Sequence, residues 1–316
     1  ESVSLRSINL NTEDGDITFN SNFNSYGVSG DYRMYTGSGR IRALNDVTYA
    51  MNKTGSGIMA NTNVTLGTNK GRIDLDFVSL GGNTLIIENR KGTAAISSVY
   101  AGGVMVERCV QGNYKFDYLN CNLSFAKAED SIISPVINVG EIDGDFHLSS
   151  TDESDAPVIK IDKIAGDLTV TAGKGSVNVA KADGVVDITS NRSTSVKVTL
   201  SEFNTNPINV SNDRGDVYLK FLGSVSNNAI ITVDSSDVEI DFTKNGGFTA
   251  YCYKNNGESN DPLSSGDVKV SIRNDEVTYE YNRENGSLNF NGLLSSGGNV
   301  TINTNGEVQF NLVNVA

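Results

Sequence analysis

The sequence predicts an all-β fold, and specifically an elongated parallel β-solenoid with coils of about 20 residues. The first observation is that short runs along the 316 residues alternate apolar and polar side chains with period two, as strands do. The second is that Gly, Asn and Asp fill the junctions between these runs, because they tolerate the backbone of tight corners. The third is that one motif, two short apolar runs joined by a corner, recurs along most of the chain.

The spacing of the corner glycines sets the length of the predicted coil. Gly71, Gly92 and Gly112 lie 21 and 20 residues apart, and steps of nine separate the three corner glycines of residues 166–184. A coil of about 20 residues therefore holds two strands and two corners, as in a right-handed β-helix. Stacked coils place equivalent residues at the same phase, which explains why one corner pattern recurs. An antiparallel β-sandwich is the alternative, since turn signals every 8–12 residues also fit that fold.

The repeat predicts a single β-solenoid domain over residues 1–316, with two irregular stretches. Residues 21–35 depart from the rhythm and are expected to form an N-terminal cap. Residues 244–265 interrupt the rhythm again, and we expect an irregular loop insertion there.

The aromatic side chains of the second irregular stretch are the candidate binding residues. Phe248, Tyr251 and Tyr253 follow one another closely in this stretch. Loops that leave a rigid scaffold often carry binding, and aromatic rings are frequent anchors of a bound partner. The alternative is a bent strand whose aromatic rings pack over the end of a coil.

The charge and the first residue of the chain bear on its partners and compartment. The chain carries 25 Lys and Arg against 38 Asp and Glu residues, a formal net charge of −13. Such acidity repels phosphates, so we expect neither nucleic acid nor an anionic lipid surface as a partner. The chain starts at Glu1 rather than Met and has no long apolar stretch. We therefore expect an exported, extracellular or cell-surface protein, with a signal or membrane anchor that is absent from this chain.

The cysteines do not form a disulfide framework, because there are three of them: Cys109, Cys121 and Cys252. Their spacing also lacks the paired C-x-x-C signature of metal sites. The sequence predicts buried free thiols, and it leaves a Cys109–Cys121 bridge open.

Two glycine-rich stretches look like nucleotide-binding loops but lie in the wrong context. The GKGS of residues 173–176 lacks the GxxxxGK[ST] spacing of a phosphate loop, and no helix follows it. The GSGIMA of residues 55–60 is not part of a strand-helix-strand unit. The single histidine, His147, alternates with Phe146 and Leu148, which share the other face of the strand. We expect a surface histidine, no nucleotide, no cofactor and no catalytic triad.

Aspartates occupy one phase of the repeat, directly after a corner glycine. We interpret them as corner caps that accept hydrogen bonds from nearby backbone N–H groups. A row of calcium sites is the alternative, although the calcium-binding nonapeptide does not occur in the sequence. These aspartates are Asp16, Asp145, Asp167, Asp216 and Asp267.

The Gly-Asp-apolar triplet that contains these aspartates resembles the repeat of a bacterial adhesin family. The triplets begin at Gly15, Gly144, Gly166, Gly215 and Gly266. Members of the family are exported β-repeat proteins rich in Gly-Asp, and the resemblance covers most of the chain. It implies a β-repeat fold and a place at a bacterial cell surface.

The expected function is non-enzymatic, either adhesin-like or structural, in which a polar β-surface meets a glycan or a surface protein. A polysaccharide-acting lyase or hydrolase on the same scaffold is the alternative. A hydrolase needs two carboxylates about 5–10 Å apart, and a lyase needs carboxylates that hold calcium beside a basic residue. No compact cluster of such residues stands out in the sequence, so no catalytic or metal-binding residue is predicted.

Overall fold

A computed structural model shows that the chain forms a β-solenoid of about ten turns, which follow one another at intervals of roughly 21 residues. Within the described part of the chain there are β-strands and no α-helix. Neighbouring coils pair through parallel ladders, which confirms the predicted solenoid and excludes the antiparallel sandwich. The structure describes residues 7–19, 32–44, 46–49, 52–127, 134–150, 152–202, 204, 206–225, 228–256, 261–272, 276–294 and 297–314.

The chain divides into two compact units. The first comprises Glu1–Ser150 with Ala156–Ile161, and the second comprises Thr151–Asp155 with Asp162–Ala316. In each unit the strands of successive coils pair in two columns, so that each coil contributes one rung to each of two sheets.

The strands of the first unit are short, and the last of them crosses its boundary. They are β1 (Ile8–Thr12), β2 (Ile17–Phe19), β3 (Tyr32–Thr36), β4 (Arg40–Ala43), β5 (Asp46–Tyr49), β6 (Lys53–Met59), β7 (Val64–Thr68), β8 (Arg72–Ser79), β9 (Thr84–Asn89), β10 (Thr93–Tyr100), β11 (Gly103–Cys109), β12 (Asn113–Leu119), β13 (Asn122–Lys127), β14 (Val136–Ile142), β15 (Phe146–Ser149) and β16 (Val158–Ile164). One parallel sheet follows the order β1-β3-β7-β9-β11-β13-β15, and the other follows β2-β4-β8-β10-β12-β14. Strands β5 and β6 form an antiparallel hairpin.

Inward-facing side chains stack rung on rung to make a narrow apolar core. Ile73, Ala94 and Tyr114 occupy successive rungs of one sheet and are buried. Leu66 and Ile87 do the same on the other sheet. Because side chains alternate between the two faces of a strand, every second residue faces the core and the residues between them face outward. Each fully buried large apolar side chain stabilises the fold by about 1.5–3 kcal/mol.

A column of buried polar side chains closes one corner of the first unit. The hydroxyls of Thr36 and Thr68 accept the N–H of the glycine three residues later, at 2.9 and 2.7 Å. Asn89 takes the same place with its amide oxygen, 2.7 Å from the nitrogen of Gly92. In the next coil a glycine N–H bonds to the sulfur of Cys109. A Cβ on Gly92 would lie 2.3 Å from a carbonyl oxygen of the preceding coil, which explains why glycine recurs at this phase.

The second unit begins with two long strands that each pass around a corner. Its strands are β17 (Leu168–Ala182), β18 (Val186–Leu200), β19 (Ile208–Arg214), β20 (Val217–Phe221), β21 (Ala229–Val233), β22 (Val238–Phe242), β23 (Thr249–Tyr253), β24 (Val268–Ser271), β25 (Thr278–Tyr281), β26 (Ser287–Asn291), β27 (Asn299–Asn303) and β28 (Val308–Leu312). Strands β17 and β18 have 15 residues each, and they contribute to both sheets. At the end of the unit β26 pairs antiparallel with both β23 and β25.

The last two strands of the chain do not occupy the last coil. Strand β27 pairs with β21 on one side and with β23 on the other, so that Ile302 lies between Ile231 and Cys252. Strand β28 lies between β22 and β24 in the same way. Between these two coils the carboxylate of Asp237, just before β22, accepts a hydrogen bond from the N–H of Glu307, just before β28, at 2.9 Å. The coil made by β27 and β28, which we call the inserted coil, therefore separates two coils that are consecutive in sequence.

The two irregular stretches are in part regular strands. Of the predicted cap, residues 32–35 belong to β3 and pair in the parallel ladder, and the preceding residues of 21–35 lie outside the described part. Of the predicted insertion 244–265, residues 249–253 form β23, and residues 257–260 lie outside the described part. The GKGS corner lies inside β17, where Gly175 has a positive φ of 131° and the ladder shifts register.

Candidate functional site

The second unit has an open groove of about 820 Å³ at the GKGS corner. Four consecutive layers of the stack contribute to it, and all of its lining side chains are polar or charged. The lining residues are Asp152, Glu153, Ser154, Lys174, Asn191, Arg192, Ser193, Asp213 and Arg214.

The ladder register brings the basic residues of the groove together. Lys174 pairs with Ser193, and Ser193 pairs with Arg214, so these three residues occupy successive rungs at one corner. Arg192 precedes Ser193 on the same strand. Adjacent rungs of a sheet lie about 4.8 Å apart, which places Lys174 and Arg214 about 10 Å apart at the backbone. The corner therefore carries three cationic side chains within three coils.

The acidic side chains of the groove are held by local contacts. The guanidinium of Arg192 binds one carboxylate oxygen of Glu153, with its Nε at 2.6 Å. The Nε of Arg214 lies 3.8 Å from Asp213. Asp152 accepts hydrogen bonds from both the backbone N–H and the hydroxyl of Ser154, at 2.9 and 2.6 Å. These contacts fix where the carboxylates lie along the groove.

Lys174 differs from the two arginines of the groove. Its side chain is exposed, and the ion pairs of the described residues include none with Lys174. Its backbone is anchored, since its N–H donates to the carbonyl of Asp155 at 2.8 Å. The groove therefore holds an ammonium group that is carried on an anchored backbone and that forms no ion pair among the described residues.

A buried polar network supports the corner from below. Ser190 donates to the carbonyl of Gly173 at 3.0 Å, and Thr194 donates to the Ser190 hydroxyl at 2.9 Å. The amide of Asn212 donates to the carbonyls of Thr194 and Gly215, at 2.6 and 2.7 Å. Networks of this kind rigidify the backbone that carries them. The outward side chains of residues 191–193 therefore project from a corner whose backbone is held by buried hydrogen bonds.

A polar row extends from the groove along the outer face of one sheet. Each coil contributes one side chain to it, and the six rungs span about 24 Å. The polar row consists of Thr171, Thr189, Ser211, Thr232, Asn303 and Tyr253. It begins three residues before Lys174 and ends on one of the tyrosines that the sequence predicts as binding residues.

The three predicted binding residues lie in two different environments. Tyr251 and Tyr253 face outward from β23 and are half-buried, with their ring centroids 6.4 Å apart and their planes 17° from parallel. Burial is the largest cause of the raised pKa of the Tyr253 hydroxyl. Phe248 is only 5% exposed and packs edge-to-face on Phe242, at 5.3 Å. It also contacts Phe290, so Phe248 is a core residue that offers no ring to a ligand.

Two of the aspartates that directly follow a corner glycine accept a hydrogen bond from the backbone of the next coil. Asp16 accepts the backbone N–H of Arg40 in the next coil at 2.8 Å, and Asp167 accepts that of Val185 at 2.9 Å. These bonds confirm the capping interpretation at both positions. Among the described residues, no group of three or more His, Cys, Asp or Glu side chains is arranged to hold a metal ion.

The histidine and the cysteines lie as the sequence predicts. His147 is exposed between buried Phe146 and Leu148. The three cysteines are free and buried, so Cys109 and Cys121 are not bridged. Burial raises the pKa of Cys121 to about 11 and that of Cys252 to about 12, which keeps both thiols protonated and unreactive at neutral pH.

The groove is the site that the sequence does not reveal. The sequence predicts that Lys174 lies at a corner and faces the solvent, and the structure shows it exposed at that corner. The proximity of Lys174 to Arg214 depends on coils of unequal length. The ladders of β18 with both of its neighbours shift register at the same place, just before Ser193. The sequence spacing alone does not place Lys174 and Arg214 at equivalent positions of the repeat, because the two register shifts decide which residues stack on each other.

Comparison of the chain with protein-family models, curated proteins and solved structures finds no match. In the part of the chain that the structure describes, no helix has the length and hydropathy of a membrane span.

Proposed function

We propose that this chain is a non-enzymatic, adhesin-like protein of the cell surface whose second unit binds a glycan in the groove. One observation carries the proposal: the groove joins donors and acceptors from four layers of a rigid stack in a single open cavity. Its carboxylates accept hydrogen bonds from the hydroxyls of a sugar, whereas its amide, ammonium and guanidinium groups donate hydrogen bonds to sugar oxygens.

The chemistry of the lining favours a glycan over a protein partner. Protein interfaces are anchored by buried aromatic or aliphatic side chains at their centre. The groove has no such anchor, since every lining residue is polar or charged. The polar row extends the same chemistry for about 24 Å, which suits a ligand that is long and polar.

The proposed location rests on the sequence. The Gly-Asp repeat resembles that of exported surface proteins, and the buried free thiols are compatible with either redox environment. A cell-surface location also brings the chain into contact with glycans, which agrees with the groove chemistry.

A glycan array tests the proposal. We expect the full chain to bind a subset of glycans and a Ser193→Trp variant to lose that binding, because the indole fills the groove from an exposed position. A Thr199→Trp variant places the same ring on the other sheet of β18 and should bind as the unaltered chain does. Absence of binding by the unaltered chain, or equal binding by the Ser193→Trp variant, contradicts the proposal.

A polysaccharide-acting lyase or hydrolase is the second candidate function. The groove gathers three carboxylates, those of Asp152, Glu153 and Asp213, beside the ammonium of Lys174. An enzyme with these groups releases new reducing ends or unsaturated sugars from a polysaccharide panel. Turnover that is lost in both Asp152→Asn and Asp213→Asn would favour the enzyme over the binding protein.

A further inference from the structure

We infer that the glycan bound in the groove is acidic, and that a carboxylate of one of its sugars pairs with Lys174. This inference rests on the proposed glycan-binding function and names the chemical class of its ligand. It follows from the arrangement of charges in the groove and from the ladder register that fixes them.

The first step concerns the basic residues. A chain with a net charge of −13 repels anions over most of its surface. The groove nevertheless gathers Lys174, Arg192 and Arg214 on three successive coils. The buried hydrogen bonds that Ser190 and Thr194 form hold the corner that carries these basic residues. The carboxylates of Asp152, Glu153 and Asp213 balance these three cations, so the groove is locally neutral on an acidic protein.

The second step concerns which cation is available. Arg192 is bound to Glu153, and Arg214 lies beside Asp213. The ion pairs among the described residues leave Lys174 without an acidic partner. A ligand carboxylate can pair with Lys174 without displacing a carboxylate of the protein. Charge-assisted hydrogen bonds of this kind are about twice as strong as neutral ones.

The third step concerns the remaining groups. The carboxylates of Asp152 and Asp213 line the same cavity and accept hydrogen bonds from sugar hydroxyls. They also oppose a nucleic acid, which would bring phosphates rather than hydroxyls to these carboxylates. The groove therefore selects a ligand that has several hydroxyls beside each carboxylate, which is the chemistry of a uronic-acid polysaccharide.

The experiment uses two polymers that differ only at the carboxylate: polygalacturonate and its methyl ester. We expect the full chain to bind the acidic polymer at least about tenfold more tightly at low salt, the factor that one charge-assisted hydrogen bond supplies. The preference should fall as salt is raised. Affinities are measured by titration calorimetry on the intact chain.

Two matched variants locate the effect. Lys174→Gln should abolish the preference for the acidic polymer. Lys181→Gln should retain it, because Lys181 is exposed on the same strand but lies outside the groove, and it changes the net charge equally. Thermal unfolding checks that both variants fold as the unaltered chain does.

The outcomes separate this inference from the proposed function. Equal binding of the two polymers, binding of neither, or a preference that survives Lys174→Gln overturns the acidic inference. If Ser193→Trp still abolishes binding to a glycan in those cases, the proposed function stands. If Ser193→Trp binds the acidic polymer normally, the groove is not the glycan site and the proposed function fails with it.

Discussion

At the scale of single residues, the corners of this solenoid depend on short polar side chains that are fully buried. Thr36, Thr68 and Asn89 each accept one backbone N–H, which would otherwise be unsatisfied inside the stack. A buried polar group is stable only when it is hydrogen-bonded. The same arrangement explains why Thr or Asn precedes the corner glycine by three residues, since the side chain must be short enough to turn back onto its own corner.

Replacing one of these side chains should destabilise the first unit. Thr68→Val keeps the shape of the side chain but leaves the Gly71 N–H without its acceptor. We expect the free energy of unfolding to fall by about 1–3 kcal/mol. Urea unfolding measures the change, and Thr65→Val on the same strand makes the same chemical change at a partly exposed position. Equal effects of the two substitutions would show that the buried hydrogen bond contributes nothing.

The tyrosine pair gives a second prediction at this scale. The polar row separates Tyr253 from the rung of Lys174 by about 24 Å, so only a long ligand reaches both. The double variant Tyr251→Ala with Tyr253→Ala should weaken binding of long glycan chains about fivefold, the loss expected for one aromatic contact of about 1 kcal/mol. Binding of a disaccharide should not change. Calorimetry with a length series of one glycan gives the result, and a loss that is independent of length would contradict it.

At the scale of secondary-structure elements, the order of the coils is the main feature. Strands β27 and β28 lie between coils that are consecutive in sequence. Both neighbours of the inserted coil therefore depend on it for their ladder hydrogen bonds. An open edge on either neighbour would expose unpaired N–H and C=O groups.

A cavity in the inserted coil should therefore loosen strands on both sides of it. Ile302 is fully buried between Ile231 and Cys252. Ile302→Ala should cost about 2–5 kcal/mol. Amide hydrogen exchange should accelerate in β21 and in β23, because both strands pair directly with β27. The matched substitution Ile137→Ala in the first unit should leave the exchange of β21 and β23 unchanged.

The repeat could be predicted from the sequence, but the order of the last coils could not. Alternation and corner glycines predict strands and parallel stacking, because both follow from local backbone geometry. Every strand presents the same alternating pattern to its neighbours, so the pattern does not specify which coil lies beside which. The groove could not be predicted for a related reason, since the register shift beside Lys174 decides which side chains share a corner. Phe248 and Tyr251 are both aromatic residues of one stretch, and only the packing shows that one faces the core.

At the scale of the whole molecule, buried thiols couple folding to pH in both units. The folded pKa is about 11 for Cys121 and about 12 for Cys252, whereas an unfolded thiol titrates near pH 8.5. Between about pH 8.5 and 11 the unfolded chain has lost thiol protons that the folded chain retains. The free energy of unfolding therefore falls as pH rises through this window, and the thiols leave it unchanged below pH 8.5.

The thiol contribution can be measured by urea unfolding at pH 7.5 and at pH 9.5. At the higher pH we expect a loss of about 1.4 kcal/mol for each of these two cysteines, since one pKa unit corresponds to that free energy. Cys252→Ala should show a smaller difference between the two pH values than the unaltered chain. Identical midpoints at both pH values would contradict the predicted coupling.

The inserted coil also has a consequence for the timing of folding during synthesis. A polypeptide leaves the ribosome N-terminus first, so most coils of a solenoid can add to the growing stack in the order in which they are made. Strands β23 and β24 cannot, because their neighbour is made from residues 299–312, near the end of the chain. A message that ends before residue 299 therefore yields a stack with an unfilled gap, although the strands on both sides of that gap have already been made.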